Sequence, residues 1–342
     1  MSIDHRQFEQ RKQDHIALAL MKDNQTDDLH QWDQHQLIHD ALPDFNFEDI
    51  NIQSIRFGHP VANPFFVSSM TAGHSDAGKI NHHLMAACAE SHWAMGVGSQ
   101  RRELTDPNAA KEWSKIRQQH PNVVLFSNLG IAQLINTPLA QIQRLMESIQ
   151  AQALIIHLNA LQECIQPEGT PQFKGSWHAL SQLVKHLKMP IIIKETGCGF
   201  SKQTLQRLND VGVTAVDVSG LGGTHWGRIE GHRAQHHRIK QTASKTFQNW
   251  GIDTLQSIKN ANDINPSYEI WGSGGVRHGL DAAKLLALKA SSVGFAKPLL
   301  KAALSATDEV LTIMSTIEYE LKVAMFCTGS RVLKDLQGKL CQ

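Results

Sequence analysis

Eight short apolar runs recur along this chain: Phe65–Thr71, Trp93–Ser99, Val123–Leu129, Ala153–Asn159, Pro190–Thr196, Ala215–Leu221, Glu269–Gly275 and Ser291–Lys297. Each is bounded by Gly, Asn, Ser or Pro and is rich in Val, Ile or Phe, as strands buried on both faces are. The stretches between them have helical length. Gln133–Gln150 places Leu134, Ile135, Leu139, Ile142, Leu145 and Ile149 at near-helical spacing, and Ser201–Asp210 opens on a candidate N-cap, Ser201. Gly279–Lys289 carries Leu280, Ala283, Leu286 and Ala287 in the same way. Strand and helix alternating eight times predict an α/β fold, a (β/α)8 TIM barrel with an N-terminal extension. The rival is a doubly wound open sheet, which would carry a Gly-rich phosphate turn after its first strand; none is present. Polar residues end nearly every run (Ser69, Thr71, Ser99, Asn128, His157, Asn159, Lys194, Ser219, Ser273), and only a closed barrel brings all such ends to one mouth.

The domain expectation follows. Residues 1–64 form an extension, with a helix carrying Arg11–Met21 and a short segment closing the barrel floor; residues 65–342 form the barrel. Gly222–Ser244, rich in Gly, His and Arg, reads as one long loop and a candidate lid. The 33 Lys and Arg residues balance 32 Asp and Glu, which argues against a nucleic-acid-binding face across the whole protein. Five scattered cysteines (Cys88, Cys164, Cys198, Cys327, Cys341) without CxxC spacing argue against a disulfide framework or structural zinc and suit a reducing cytoplasm. The charged N-terminus is unlike a signal peptide, and no run of 18 apolar residues predicts a membrane span. Most of the 19 histidines, such as His232, His236 and His237, sit in polar contexts that read as surface.

The fourth run delivers an imidazole, two amides and a carboxylate within seven residues: His157, Asn159, Gln162 and Glu163. Packing gives no reason for that group. Glu163 offers a hard oxygen to Mg2+, Asn159 and Gln162 suit substrate oxygens, and His157 suits donation to an anion or proton transfer. Gly274-Gly275-Val276-Arg277 after the seventh run and Gly294-Phe295-Ala296-Lys297 closing the eighth lie where barrels bind phosphate. Lys194, at the end of a buried strand, suits a Schiff base, a charge for a developing anion, or an ion pair with Glu195 or another mouth carboxylate. Arg11, Lys12 and His15 begin an amphipathic segment. Two cations and a histidine could clamp a diphosphate, although a solvated helix face is the ordinary reading of such a run.

Taken in order, the motifs RKxDH at 11–15, SSMT at 68–71, GSQR at 98–101, SNLG at 127–130, HLNALQE at 157–163, KETGCGFS at 194–201, SGLGGT at 219–224 and GSGGVR at 272–277 resemble the type 2 isopentenyl-diphosphate isomerases, FMN-dependent barrels of isoprenoid synthesis. The resemblance runs from Arg11 to about residue 304. It implies that Arg11, Lys12, His15 and Arg101 grip the substrate diphosphate, in place of the solvated-face reading. It implies that Ser69, Met70, Thr71, Ser99, Asn128, Lys194, Ser219 and Thr224 contact the flavin, with Gly275, Val276, Arg277, Ala296 and Lys297 around its phosphate. His157, Asn159 and Gln162 would line the substrate site, Glu163 would hold Mg2+, and Trp226 and Glu230 would lie close by. It further implies NADPH as reductant and a homo-oligomer, a tetramer or octamer. Ala72 replaces a family glycine, as do Lys297 and Lys289; the first two bear on flavin affinity rather than on the chemistry.

The expected reaction is a 1,3-proton shift interconverting isopentenyl and dimethylallyl diphosphate. No carboxylate pair supplies both acid and base, which moves proton exchange onto reduced FMN, aided by Gln162 and His157, with Lys194 stabilising the anionic flavin. Two rivals stand beside it. An FMN-dependent 2-hydroxy-acid oxidase or dehydrogenase would need a His base and an Arg near the sixth strand end, where this chain reads Ser219-Gly220-Leu221-Gly222-Gly223-Thr224. A non-catalytic flavin-binding barrel would have no use for the polar cluster.

Overall fold

A computed structural model describes residues 5–28, 32–70, 75–106 and 109–341, so Thr71 and Ala72 lie outside the described residues. A short antiparallel hairpin, β1 (Ser54–Arg56) and β2 (His59–Val61), precedes eight parallel strands. These are β3 (Phe65–Val67), β4 (Ala94–Gly96), β5 (Leu125–Gly130), β6 (Ala153–Leu158), β7 (Ile191–Glu195), β8 (Ala215–Asp217), β9 (Glu269–Gly272) and β10 (Ser292–Phe295). They close in the order β10-β3-β4-β5-β6-β7-β8-β9, the (β/α)8 barrel that the eight runs predict. The strands are shorter than the runs; in β3, β4, β8 and β9 the polar end lies beyond the ladder, while Asn128, His157 and Lys194 remain within it.

Two apolar layers hold the barrel. Inward-pointing Phe66, Ala94, Phe126, Ala153, Ile155, Ile192, Ala215 and Trp271 fill its axis, and the remaining core residues pack strands against the outer helices. The hairpin plugs the floor. Phe57 stacks on Trp271 at 5.5 Å between centroids, and Glu269 accepts both the Phe57 N–H (2.5 Å) and the Trp271 indole N–H (2.9 Å). Arg56, only 4% exposed, donates to the Phe65 carbonyl and lies 5.7 Å from the Trp271 ring, a cation–π contact. Burial lowers its pKa to about 10, with Glu269 opposing.

Ser201 does cap its helix, Lys202–Val211, accepting from the Thr204 N–H. Two expectations fail. Gln133–Gln150 is not one helix but two, Ile131–Leu134 and Leu139–Ser148, because Pro138 lacks an N–H and disfavours helical geometry at the residue before it. Gly222–Ser244 is not a loop either: it forms the helix Trp226–Arg233 and most of the helix Arg238–Thr246. The His225 ring caps the first of these by accepting from the Arg228 N–H, and Ser244 Oγ donates to the Gly227 carbonyl where the two helices touch. A Cβ at Gly231 would overlap Ser244, so the glycines that looked like loop signals are helix-contact residues.

The N-terminal helix His5–Leu20 lies across the mouth. The segment after it is stitched to the loop beyond β8: Thr26 N–H and Oγ1 both bind the Gly223 carbonyl, and the His225 N–H donates to the Asn24 carbonyl.

That loop packs back-to-back on the loop after β9. Gly274 has φ +93°, and a Cβ there would strike the Gly220 carbonyl oxygen and N. Gly338 has φ +79° but open space around it. We therefore expect Gly338→Ala to cost about 1–2 kcal/mol, the left-handed penalty alone. Gly274→Ala should cost roughly 3 kcal/mol or more, since backbone must also move. Denaturant melts of the two variants compare them; equal losses would contradict the packing account.

Candidate active site

The mouth holds a cavity of about 760 Å³, within the range of small-molecule sites. Every residue expected from sequence to bind substrate, flavin or metal lines it, Thr71 excepted as outside the described residues; Glu230 lies buried behind the wall. The N-terminal helix contributes Arg11, Lys12 and His15; the β3 and β4 ends contribute Ser69, Met70, Ser99 and Arg101. Asn128, His157, Asn159, Gln162, Glu163, Lys194, Ser219 and Thr224 follow from β5 to β8, and Gly275, Val276, Arg277, Ala296 and Lys297 complete the ring. Among the described residues lining the cavity, Arg11, Lys12, Arg101, Lys194, Arg277, Lys297 and Lys301 outnumber the carboxylates Asp27 and Glu163, a balance that favours a polyanionic ligand.

The cluster on β6 and the helix after it is ordered by its own hydrogen bonds. The Asn159 side-chain N–H donates to Glu163 Oε1 (3.0 Å) and to Gln162 Oε1 (3.2 Å), while the Thr170 N–H donates to Glu163 Oε2 (2.6 Å). Glu163 is 6% exposed yet remains on the cavity wall. Asn128 Nδ2 donates to the Val97 carbonyl, so its Oδ1 is the acceptor for His157 Nδ1 (2.9 Å). His157 therefore carries its proton on Nδ1 and keeps Nε2 as an acceptor. Burial, then Lys12 and Lys194, lower its pKa to about 3. A neutral ring in this tautomer has no Nε2 proton to give an anion, which leaves the proton-accepting half of the expectation for His157.

A carboxylate that the sequence placed in a loop organises the other wall. Glu230, wholly buried, accepts from His15 Nε2 (2.8 Å), Gln162 Nε2 (2.9 Å) and Arg233 (2.6 Å). Burial raises its pKa, but the His15 bond and charge, Arg233 and Gln162 outweigh that and hold it at about 2. Arg233 also donates to Glu168 (2.8 Å), whose carboxylate lies 3.7 Å from Arg11. His15 meets Trp226 edge-on at 4.9 Å. Burial and the neighbouring Arg11 lower Lys12 to about 7, with Arg101 and Arg233 adding to the effect and Glu230 opposing it. Arg233 and Glu168 escape sequence reading, since one lay in the presumed loop and neither sits at a strand end.

At the opposite end the features fit a flavin phosphate and ring. Among the described residues, the backbone N–H groups of Gly275, Val276 and Lys297 have no acceptor in the protein, and Lys297 opens the helix Lys297–Ser305. Ser68 Oγ and Ser69 Oγ are buried without hydrogen bonds, as a polar ring edge would need. Arg277 lines this end, but its guanidinium is held by Asp281 (2.8 Å) and Asp33 (2.7 Å), bonds that raise its pKa. Lys297 and Lys301 are further cations lining the cavity from this helix, with burial lowering the pKa of Lys297 and Asp27 opposing. Lys194 pairs with Asp217 at 3.3 Å rather than with Glu195, whose carboxylate accepts the Thr196 and Cys198 N–H groups. No group of three or more His, Cys, Asp or Glu suited to a metal exists among the described residues. The donor set around Glu163 fits only a Mg2+ ion that takes one carboxylate and completes its shell with phosphate and water.

The family model described as FMN-dependent dehydrogenase matches residues 122–342, which defines the class as an FMN barrel. Fold neighbours agree: the flavin-binding domain of baker's yeast flavocytochrome b2 superposes with TM-score 0.67 at 16% identity, covering 97% of this chain and 82% of its own. A chimera of (S)-mandelate dehydrogenase gives TM-score 0.65 at 14% identity over 99% and 98%. Identities that low speak for the fold alone. Closer relatives are isopentenyl-diphosphate delta-isomerases, from Legionella pneumophila at 66% identity over 100% of both chains and Bdellovibrio bacteriovorus at 51% over 99% of both. The Rickettsia felis enzyme is 39% identical over 96% of this chain and 94% of its own. The chain belongs to the isopentenyl-diphosphate delta-isomerase family, in its FMN-dependent type 2 branch.

The low pKa of His157 has a measurable sign. Its folded value, about 3, lies below the unfolded value near 6.5, so the unfolded chain takes up the proton first. This group thus costs no stability above pH 6.5 and destabilises the fold progressively as pH falls towards 3. His157→Gln should flatten that part of the stability–pH curve. A ring NMR titration of His157 in wild type should show no step between pH 8 and about 4; a midpoint near 6.5 would refute the neutral assignment.

Proposed function

We propose that this protein interconverts isopentenyl diphosphate and dimethylallyl diphosphate by a 1,3-allylic proton shift, with FMN in its reduced form, Mg2+ and NAD(P)H as reductant. The observation that carries the reading is the cavity itself: cations at both ends, amides and a neutral imidazole between them, in a chain 66% identical to a named isomerase. Two basic ends suit two phosphorylated ligands. Arg11, Lys12, His15 and Arg101 bind the diphosphate, and Lys12, at about 7, gains a proton from that negative charge. Glu163 holds Mg2+ against the same group. Asn159 and Gln162 orient the carbon skeleton, with Gln162 fixed from behind by Glu230.

Ser69, Met70, Ser99, Asn128, Ser219 and Thr224 hold the flavin ring, and the resemblance adds Thr71, outside the described residues. Gly275, Val276, Arg277, Ala296 and Lys297 hold its phosphate, and Lys194 supplies positive charge beside the ring. Reduced FMN would supply the proton-exchanging group, since among the described residues the one other carboxylate lining the cavity, Asp27, lies beside Lys297. His157 Nε2 is a hydrogen-bond acceptor at this point of the cavity, and burial, Lys12 and Lys194 oppose its taking up a proton.

The hydroxy-acid reading is weaker. The histidine and arginine next to the β8 end are His225 and Arg228, and both are structural. His225 Nε2 donates to the Trp250 carbonyl while its Nδ1 caps the helix, and Arg228 binds the carbonyls of Asp23, Gln25 and Gln248. Neither is available as a base or a carboxylate clamp. A homo-oligomer, tetramer or octamer, is proposed on the family resemblance alone. Unpaired cysteines support a cytoplasmic setting, and no helix among the described residues is long and apolar enough to cross a membrane.

Purified protein supplied with FMN, NADPH and Mg2+ should interconvert the two diphosphates, with no turnover when the flavin stays oxidised. Failure under reducing conditions would sink the reading. Glu163→Gln should lower activity by roughly 100-fold and weaken Mg2+ dependence while FMN binding, read by flavin fluorescence, stays within about two-fold. Lys297→Gly should instead weaken FMN binding several-fold; an unchanged dissociation constant would remove Lys297 from the phosphate site.

A further inference from the structure

We propose that Asp217 sets how much of the Lys194 charge reaches the flavin and so tunes the reduction potential of the bound cofactor. The inference rests on the flavin-binding reading above. Lys194 and Asp217 are direct partners across β7 and β8, one strand from Ser273 beyond β9; Lys194 and Ser273 line the mouth, and Asp217 lies buried behind them. Lys194 is 7% exposed and Asp217 only 1%. The ammonium donates to the Glu195 carbonyl (3.0 Å) and to Ser273 Oγ (3.5 Å), and rests 3.3 Å from Asp217 Oδ2. Ser273 in turn donates its proton to Asp217 Oδ1 (2.7 Å), which turns the serine lone pairs towards Lys194.

Asp217 Oδ2 makes no hydrogen bond among the described residues; its contact with Lys194 is ionic and poorly angled. A carboxylate buried this completely with one oxygen unbonded is costly to keep for packing alone. Lys194 is the sole cation within ion-pairing distance of it among the described residues. The pair is therefore a neutral unit on the wall where the ring is placed, and the aim of the ammonium is set by Asp217 and Ser273 together. In a low-dielectric barrel, charge at this distance acts strongly. Reduction adds negative charge to the isoalloxazine. An uncompensated Lys194 would favour the reduced form, and Asp217 moderates that preference. Asp217 is thus a positioning and tuning residue, since it acts through Lys194.

The test is the midpoint potential of bound FMN, measured against reference dyes in wild type, Asp217→Asn, Ser273→Ala, Lys194→Met and the Lys194→Met/Asp217→Asn double variant. Asp217→Asn should shift the equilibrium at least ten-fold towards the reduced form, about 30 mV for a two-electron couple. Ser273→Ala keeps both charges and should shift it less. Lys194→Met should shift it the other way, and the double variant, neutral again, should return towards wild type. A shift of two-fold or less in Asp217→Asn, or a downward one, overturns the inference. If that variant fails to fold, a double variant with the same potential as Lys194→Met overturns it equally. Wild type that binds no FMN would instead refute the flavin reading and is a separate result.

Discussion

Everything in this molecule depends on one seam, the parallel ladder that closes the barrel between its last strand and its first. Val293, Gly294 and Phe295 on β10 pair with Phe65, Phe66 and Val67 on β3, so residues more than two hundred positions apart become neighbours. Phe66 crowds the seam so closely that a Cβ at Gly294 would collide with its ring. Once the seam is made, all eight strand ends face one way and their polar residues share a single cavity. Without it Lys297 and Ser69 would lie on opposite edges of an open sheet and form no common site.

Closure alone would leave a cavity crowded with positive charge. The structure answers this with carboxylates set behind the cations rather than among them. Asp33 and Asp281 hold Arg277, Asp217 holds Lys194, and Glu230 and Glu168 hold Arg233. Arg277 and Lys194 line the cavity and Arg233 lies behind it, and each carboxylate lowers the cost of burying its cation. Glu230 has the widest reach, because it joins the N-terminal helix through His15 to the β6 cluster through Gln162. The extension is therefore a wall of the site, docked by ion pairs and hydrogen bonds as well as by apolar packing of Ala19, Trp32, Ile50 and Ile52 in the core.

Much of this was legible beforehand. Buried parallel strands announce themselves as apolar runs because both faces are covered, and a polar residue ending such a run has few reasons to be there except the mouth. His157, Asn159, Gln162 and Glu163 could be singled out on that ground alone. Arg11, Lys12 and His15 could not: a basic helix face reads as solvated until something is known to lie against it. The helices between Trp226 and Thr246 were hidden by Gly227 and Gly231, whose low helix propensity is outweighed by the close contact they permit. The break at Pro138 was visible in principle and was overridden by the apolar spacing on either side of it.

The sequence by itself determined the number and order of strands, the polar residues at their ends and, through its motifs, the family. These are local properties, written in periodicity and residue type. Only the tertiary structure decided which cations are already engaged, which tautomer His157 holds, and that Asp217 and Glu230 stand behind the reacting groups. Those are properties of pairs distant in the chain, such as His15 with Glu230 or Arg277 with Asp33. No local pattern encodes them, because the energy of a buried charge depends on what the fold places beside it.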